Sequence, residues 1–212
     1  MLNIINDIVD ISKIEAGLMS LNRIDSNINE QIEYIYTFFK PELEAKGVSF
    51  SFNNTLPKNE AIIITDREKL YAILTNIVKN SIKYTPSGTI EMGYVLKEDF
   101  LEFYIKDTGI GIPADRQEAI FERFIQADIE DKMARQGAGL GLSISKAYLE
   151  MMGGRIWVDS IEGVGSTFYF TLPYNAMNTK RAGERKEVQT DLSIPQAKKL
   201  KILIVEDDET SG

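Results

Sequence analysis

FLEFYIKDTGIGIP, residues 100–113, combines a strand pattern with an acidic, glycine-rich turn. Within it Leu101, Phe103 and Ile105 alternate with polar or amphipathic residues, which is the period of a strand with one buried face. The same alternation predicts further strands at 48–52, 156–158 and 168–172. Strands with one polar side indicate a mixed, mostly antiparallel sheet that is covered by helices on one face.

Helical segments alternate with these strands along the chain. Three helices are predicted, at 27–46, 66–84 and 140–152. Helices stacked on one face of such a sheet form an α+β fold, a two-layer α/β sandwich. The length agrees, because 212 residues can bury one sizeable core and leave a helix or linker at each end.

The two ends of the chain differ from the middle. A wide apolar stripe over 1–16 predicts a helix, ended by Gly17, that needs the next domain or a second copy as its partner. Toward the other end, a basic stretch with little hydrophobic periodicity indicates a linker. The predicted divisions are a helix over 1–17, a main domain over 18–175, a linker over 176–199 and an incomplete segment over 200–212.

Composition argues against several classes of protein. The chain has no cysteine, so neither a disulfide framework nor a thiolate metal site is available. Its net charge of −8 argues against sequence-independent binding to nucleic acid. Apolar runs such as residues 61–64 are too short to span a bilayer, and no signal-peptide pattern precedes them.

A polar stripe on the second predicted helix is the first candidate for chemistry. Asn76, Asn80 and Lys83 fall at i, i+4 and i+7 and therefore share one helical face. An amide carbonyl can ligate Mg²⁺ and a lysine can meet phosphate charge, so this face suits a magnesium–phosphate group. A solvated face with incidental asparagines is the alternative for this stripe on its own.

Asp107 follows the strand at 100–106 directly and precedes two glycines, Gly109 and Gly111. An ionised carboxylate only accepts hydrogen bonds, so it would favour adenine, whose exocyclic amine donates, over guanine. The glycines would let the backbone approach a ligand closely. Turns after strands also use Asp and Gly for backbone reasons alone, and the two interpretations have equal weight without further motifs.

A polar segment over 125–136 separates Phe121–Phe124 from a glycine run at 137–141. The segment has few residues able to anchor it in a core and is predicted to be a mobile lid. The glycine run would bring backbone N–H groups and the start of a helix close to a polyphosphate. No Gly-Lys-Ser/Thr follows, and Leu142 replaces the last glycine of a dinucleotide fingerprint, so neither of those motifs is present.

Taken in order, four segments resemble the N, G1, F and G2 boxes of sensor histidine kinases. They lie at 76–85, 107–111, 121–124 and 137–141, with separations similar to those of the family. The resemblance implies the ATP-binding sandwich shared with gyrase, the heat-shock chaperone and the mismatch-repair ATPases. It also implies ATP and Mg²⁺ as ligands, and transfer of the ATP γ-phosphate to a histidine of a dimerisation domain.

The resemblance implies roles for individual residues. Asn80 would ligate magnesium, Lys83 would lie near phosphate and Asp107 would bind the adenine amine. Tyr84 would pack beside adenine, and Thr167 would lie near the base. The other implied nucleotide-binding positions are Gly109, Gly111, Phe124, Gly137, Gly139, Leu140, Gly141 and Leu142.

One position distinguishes kinases from their hydrolytic relatives. Those relatives carry a glutamate general base where this chain has Asn76, and an amide cannot take up a proton at neutral pH. Phosphoryl transfer, catalysed by positioning and charge stabilisation, is therefore favoured over hydrolysis. Arg123, Lys132 and Arg135 are candidate γ-phosphate contacts, although lid solubility explains Lys132 and Arg135 equally well. The predicted catalytic set is Asn76, Asn80, Lys83 and Arg123.

Both ends resemble parts of a hybrid kinase. Residues 3–17 resemble the second helix of a dimerisation and phosphotransfer domain, and residues 201–209 resemble the first strand and acids of a receiver domain. The implied partners are a histidine-bearing domain, a receiver domain and a second copy of the chain, but no nucleic acid. Such kinases are usually membrane-anchored sensors with a cytoplasmic catalytic portion. The chain contains no histidine, so autophosphorylation is not expected.

Two other functions fit the same motifs. One is an ATPase or clamp module of the same superfamily, which Asn76 and the flanking segments argue against. The other is nucleotide binding that serves only a regulatory interaction. This last alternative shares every binding residue with the kinase, so the sequence does not separate them.

Overall fold

The computed structural model describes residues 2–123 and 139–174. The helices are α1 (Leu2–Glu15), α2 (Ile28–Lys46), α3 (Arg67–Tyr84) and α4 (Gly141–Met151). The strands are β1 (Arg23–Asn27), β2 (Val48–Asn54), β3 (Ile62–Asp66), β4 (Gly88–Lys97), β5 (Phe100–Asp107), β6 (Ile156–Ile161) and β7 (Gly165–Pro173). Two short 3₁₀ turns, Ala114–Arg116 and Ala119–Phe121, follow β5. No helix within these described ranges has the length and apolar composition needed to cross a bilayer.

Five strands form the main sheet, in the order β2-β4-β5-β7-β6. β2 and β4 run parallel, whereas the other neighbouring pairs of this sheet are antiparallel. β1 and β3 pair antiparallel in a separate two-stranded sheet. The predicted sandwich with a mixed, mostly antiparallel sheet is therefore confirmed.

The helices cover the apolar face of the main sheet. Leu101, Phe103 and Ile105 of β5 are fully buried in one core with apolar residues of α2, α3 and α4. Lys106, the next residue after Ile105, is exposed. Phe103 stacks on Phe170 of β7, with ring centroids 4.5 Å apart and an interplanar angle of 5°. The period of two predicted for β5 thus places its last residue on the core side, where the helices lie.

α3 carries most of the predicted site residues and is held at both ends. Asp66 is its N-cap, and Oδ1 accepts hydrogen bonds from the backbone N–H groups of Glu68 and Lys69 at 3.1 and 3.0 Å. At the other end, Nζ of Lys46 in α2 donates to the carbonyl oxygen of Ile82 at 2.7 Å. A cation at a helix C-terminus satisfies a carbonyl that has no partner inside the helix. These contacts fix α3 relative to β3 and α2.

α1 divides its apolar stripe between two environments. Ile11 and Ile14 pack against the main core, whereas Ile8 is exposed. The hydroxyl of Tyr148 in α4 donates to Oδ2 of Asp10 in α1 at 2.7 Å. The predicted partner of this stripe is the next domain or a second copy of the chain. The next domain therefore covers one part of the stripe.

The predicted helices agree with α2, α3 and α4 to within one residue at each end. The pattern does not predict β1, β3 or β4. β1 buries only Ser26, so it has no apolar alternation. β4 contains Gly93, and glycine is unfavourable in a strand interior. Glycine is needed at this position because a Cβ there would lie 2.8 Å from Oη of Tyr104 on β5. The predicted linker at 176–199 and the segment at 200–212 lie outside the described residues.

Candidate functional site

Asp107 lies at the buried end of β5 and is 6% exposed. Its Oδ1 accepts hydrogen bonds from the N–H groups of Gly109 at 3.0 Å and Ser166 at 3.3 Å. Its Oδ2 accepts one from the hydroxyl of Ser81, on α3, at 3.1 Å. A carboxylate has about four lone-pair positions, so the contacts among residues 2–123 and 139–174 leave one acceptor position for a ligand.

The surroundings of Asp107 shift its pKa in opposite directions. Burial raises the pKa of this carboxyl above its ordinary value, and this is the largest effect. The hydrogen bonds from Gly109, Ser81 and Ser166 lower the pKa, because each favours the ionised form. Buried carboxyls with a perturbed pKa are concentrated at functional sites. Asp107 is therefore a strong candidate for a ligand-binding group.

The turn after β5 has no room for side chains at its two glycines. A Cβ on Gly109 would lie 2.3 Å from the carbonyl oxygen of Tyr84, and the N–H of Ile110 donates to the same oxygen at 3.1 Å. Gly111 has a φ of 69°, and a Cβ there would lie 2.1 Å from the carbonyl oxygen of Ile161. The turn is thus packed between the end of α3 and the end of β6, which requires glycine at both positions.

Asn76 faces the start of α4. Its Nδ2 donates to the carbonyl oxygen of Gly141 at 3.2 Å and lies 3.4 Å from Oγ of Ser145. Gly141 is the first residue of α4, and a Cβ there would lie 3.4 Å from the Asn76 amide. Asn76 therefore connects α3 to the helix that follows the predicted glycine run.

Asn80 and Lys83 continue the same polar stripe. Asn80, one turn after Asn76, is half-buried. Nζ of Lys83 lies 5.0 Å from the centre of the Tyr84 ring, within range of a cation–π interaction. Because the Tyr84 carbonyl contacts the turn after β5, the end of α3 joins the predicted phosphate-binding residues to Asp107.

Gly139, in the predicted glycine run before α4, has a backbone conformation that is typical of glycine. Gly139 has a φ of 68°, in the left-handed region that favours glycine. Leu140 is 1% exposed and packs in the core, and Leu142 is half-buried against it. A ligand contact from Leu140 would therefore come from its backbone. Four other predicted positions lie outside the described residues: Phe124, Lys132, Arg135 and Gly137.

Sheet register corrects one predicted site residue. Thr167 pairs with Lys106 of β5 and Asp159 of β6, both of which are exposed. Asp107 pairs with Ser166, and successive side chains of a strand point to opposite faces of the sheet. Thr167 therefore lies on the face opposite Asp107, whereas the buried Ser166 lies on the same face as Asp107.

Arg123, a predicted γ-phosphate contact, forms an ion pair with Glu15 of α1. The preceding residue, Glu122, forms a second ion pair, in which Oε1 lies 3.5 Å from Nζ of Lys146. Both pairs are exposed, so screening by water keeps their contribution to stability small. The described position of Arg123 is at the α1 contact, and its role toward phosphate stays a prediction.

Sequence reasoning missed two serines of this site, Ser81 and Ser166. The available signal was periodicity. Ser81 lies four residues after Ile77 on the buried stripe of α3, and Ser166 lies two residues before Phe168 on the buried face of β7. A polar side chain in the middle of an apolar stripe needs a hydrogen-bond partner. Asp107 is that partner for the Ser81 hydroxyl, whereas the Ser166 hydroxyl lies 2.9 Å from Oγ of Ser160 and the Ser166 backbone N–H donates to Asp107.

Known proteins share this arrangement. Residues 65–176 match the family described as histidine kinase-, DNA gyrase B-, and HSP90-like ATPase. The chain is 36% identical over 223 residues to the autoinducer 2 sensor kinase/phosphatase LuxQ of Vibrio vulnificus (strain YJ016), which covers 100% of this chain and 25% of that protein. It is 41% identical over 182 residues to the sensor histidine kinase GacS of Pseudomonas protegens, which covers 81% of this chain and 19% of that protein.

A solved structure of full-length ShkA in complex with AMPPNP aligns with a TM-score of 0.72 and 28% identity, over 82% of this chain and 35% of that one. The sandwich, the buried Asp107 and the glycines that follow β5 and precede α4 are typical of an ATP-binding domain of this family. The chain belongs to the histidine kinase-, DNA gyrase B-, and HSP90-like ATPase family, so the predicted family is confirmed. It spans a quarter or less of the length of the two relatives named above.

Proposed function

We propose that this chain is the catalytic part of a hybrid sensor histidine kinase, which transfers the γ-phosphate of ATP to a histidine on another domain. The observation that carries the proposal is the buried carboxylate of Asp107, which has one free acceptor position beside the end of α3. Adenine fits this position because its exocyclic amine donates a hydrogen bond. Guanine presents a carbonyl there and would leave this acceptor position without a donor.

The residues around Asp107 suit a nucleotide that carries Mg²⁺. The half-buried Asn80 offers a side-chain carbonyl oxygen, which is a suitable ligand for this hard cation. Lys83 supplies positive charge for phosphate, and the start of α4 after Gly139 offers backbone N–H groups. When bound, Mg²⁺ would neutralise charge on the phosphate oxygens. We assign Asn80 to the metal, Lys83 to phosphate, and Tyr84 and Asp107 to adenine.

The contacts of Asn76 support transfer rather than hydrolysis. Its amide nitrogen is a donor to Gly141, and an amide cannot accept the proton of an attacking water. An acceptor imidazole needs no such base, because its neutral nitrogen is itself the nucleophile. The role that this leaves for the chain is to position the nucleotide and stabilise charge.

Proposed partners follow from the chain's composition and from α1. The chain has no histidine, so another domain or polypeptide must supply the acceptor. Ile5, Ile8 and Val9 of α1 are exposed, which supports pairing of the helix at 1–17 with a second copy in a helical bundle. We further propose that 200–212 begins a receiver domain. The whole protein would be a membrane-anchored sensor that holds this domain in the cytoplasm.

Transphosphorylation tests the proposal. The chain is mixed with γ-labelled ATP, Mg²⁺ and a fragment of the full-length protein that carries the acceptor histidine. We expect acid-labile label on the fragment, and loss of that label with Asn80→Ala. Full transfer by Asn80→Ala would overturn the metal assignment. Nucleotide binding with no transfer by the unsubstituted chain would favour a purely regulatory role.

A further inference from the structure

Ser81 is a buried serine on the apolar face of α3. It is 1% exposed, and its neighbours on the buried face include Ile77, Val78 and Ile82. Serine is less favourable than alanine in a helix interior, because its hydroxyl competes for backbone hydrogen bonds. A serine at this position therefore needs a contact that alanine could not make.

The buried serines of α3 and α4 use their hydroxyls differently. Oγ of Ser145 donates to the carbonyl oxygen of Gly141, four residues earlier in its own helix, at 2.9 Å. This is the common arrangement for a serine inside a helix. Oγ of Ser81 instead donates to Oδ2 of Asp107, 26 positions away in the sequence, at 3.1 Å. The Ser81 hydroxyl is thus directed out of its helix, toward the carboxylate.

The donors around Asp107 make its two oxygens unequal. Oδ1 accepts two backbone hydrogen bonds, from Gly109 and Ser166, and so has both lone pairs occupied. Within the part of the chain that the structure describes, Oδ2 accepts a bond from Ser81 alone. The acceptor position that remains for a ligand is therefore on Oδ2, the oxygen that Ser81 contacts.

We infer that Ser81 is a positioning residue for the nucleotide: its hydroxyl donates to Oδ2 of Asp107 and so keeps this carboxylate in the accepting form for the adenine amine. The inference rests on the proposed adenine role of Asp107. Without the Ser81 donor the carboxyl would hold its proton more readily. A protonated carboxyl presents an O–H donor toward the amine, which is also a donor, so the nucleotide would bind less tightly.

Among the described residues, burial and uncharged hydrogen-bond donors, and no charged group, set the pKa of Asp107. These donors lie on α3, on β7 and in the turn after β5. β4 places Ile90 opposite Asp107 in the sheet. Lys106 precedes Asp107 in β5 but lies on the opposite face, and Lys83 of α3 lies against the Tyr84 ring. Removal of one donor should therefore shift the titration of Asp107 directly.

The pH dependence of nucleotide binding tests the inference. The 212-residue chain is titrated calorimetrically with a non-hydrolysable ATP analogue from about pH 4, near the ordinary pKa of an aspartate, to about pH 8. Ser81→Ala should bind nearly as well as the wild type at the alkaline end. Below both Asp107 pKa values, its affinity should be weaker by about tenfold for each unit by which its Asp107 pKa exceeds that of the wild type. The nucleotide's own titration is common to both proteins and cancels in the ratio.

Two further variants provide an intermediate case and a control for the pH midpoint of binding. Ser81→Cys keeps a weak donor of similar size, so its midpoint should fall between those of the wild type and Ser81→Ala. Ser145→Ala removes a buried helical hydroxyl that donates within its own helix and should leave the midpoint unchanged. A loss of affinity by the same factor at every pH would indicate only structural damage and would overturn the inference, as would identical profiles for Ser81→Ala and the wild type.

A measurement without nucleotide separates this inference from the proposed function. The ¹³C resonance of the Asp107 carboxyl reports its pKa directly, and Ser81→Ala should raise that pKa whereas Ser145→Ala should not. An unchanged Asp107 pKa in Ser81→Ala overturns the inference while the proposed function stands. A wild-type chain that binds no ATP analogue overturns the proposed function, and the positioning role with it, even where the pKa rises.

Discussion

Asp107→Asn alters the chemistry of the proposed adenine site with almost no change in shape. Asparagine keeps Oδ1, so the N–H groups of Gly109 and Ser166, now 3.0 and 3.3 Å from that oxygen, retain their acceptor. Nδ2 replaces Oδ2, and the Ser81 hydroxyl can rotate to accept from it. The fold should therefore survive. An adenine amine, however, would meet a donor in place of an acceptor.

The expected loss is that of one hydrogen bond to a charged group. Such a bond contributes about 1.5–3 kcal/mol. Since 1.4 kcal/mol is a factor of ten, Asp107→Asn should raise the Kd for a non-hydrolysable ATP analogue by about 10- to 150-fold. Isothermal calorimetry measures this directly. Inosine triphosphate carries a carbonyl where ATP carries the amine, so the variant should discriminate between the two nucleotides much less than the wild type does.

Two results would refute this reasoning. One is wild-type affinity for the ATP analogue in a variant whose thermal melting shows that it is folded. The other is an equal loss of affinity for ATP and inosine triphosphate, because a change confined to the amine contact cannot weaken both alike.

Asp107→Asn should also remove a pH dependence of stability. The pKa of Asp107 is raised in the folded chain, chiefly by burial, so the folded chain binds this proton more tightly than the unfolded chain. This contribution to stability is fully present below the ordinary pKa and is lost as pH rises through the raised pKa. Asparagine is neutral throughout, so the stability of the variant relative to the wild type should increase with pH across that window. Urea denaturation at several pH values measures the difference, and a constant difference would contradict the raised pKa.

Two further substitutions test hydrogen bonds that join separate elements of the fold: Tyr94 to Asn29, and Asn76 to Gly141. Tyr94→Phe removes a fully buried hydroxyl that donates to Oδ1 of Asn29, and leaving that acceptor unpaired should cost about 1–3 kcal/mol in the free energy of urea unfolding. Tyr104→Phe, whose hydroxyl contacts the half-buried Glu91 and the exposed Asn53, is the control and should cost less. Asn76→Ala removes the donor to the Gly141 carbonyl, so we expect the analogue to bind about 2- to 10-fold more weakly at similar melting temperature. Unchanged affinity in Asn76→Ala would show that this contact does not position the start of α4.

The sequence alone determined the helices, four of the seven strands in the described residues, and the chemistry of the candidate site. The alternation in β5 and the stripes of α2, α3 and α4 are local patterns, because a buried face imposes a period of two or of 3.6 on nearby residues. The spacing of Asn76, Asn80 and Lys83 and the glycines after Asp107 are local as well. They were sufficient to predict the sandwich and the family, both of which are confirmed.

Tertiary structure alone decided which of these residues meet. Ser81 and Asp107 lie 26 positions apart, and only the packing of α3 on β5 brings them to 3.1 Å. Register between β5 and β7 places Ser166, not Thr167, on the face of Asp107, and a shift of one residue would reverse that choice. Asn76 finds its acceptor 65 positions away, at the start of α4. Hydrogen bonds act over about 3 Å, so their partners depend on how distant segments pack, and no local period in the chain carries that information.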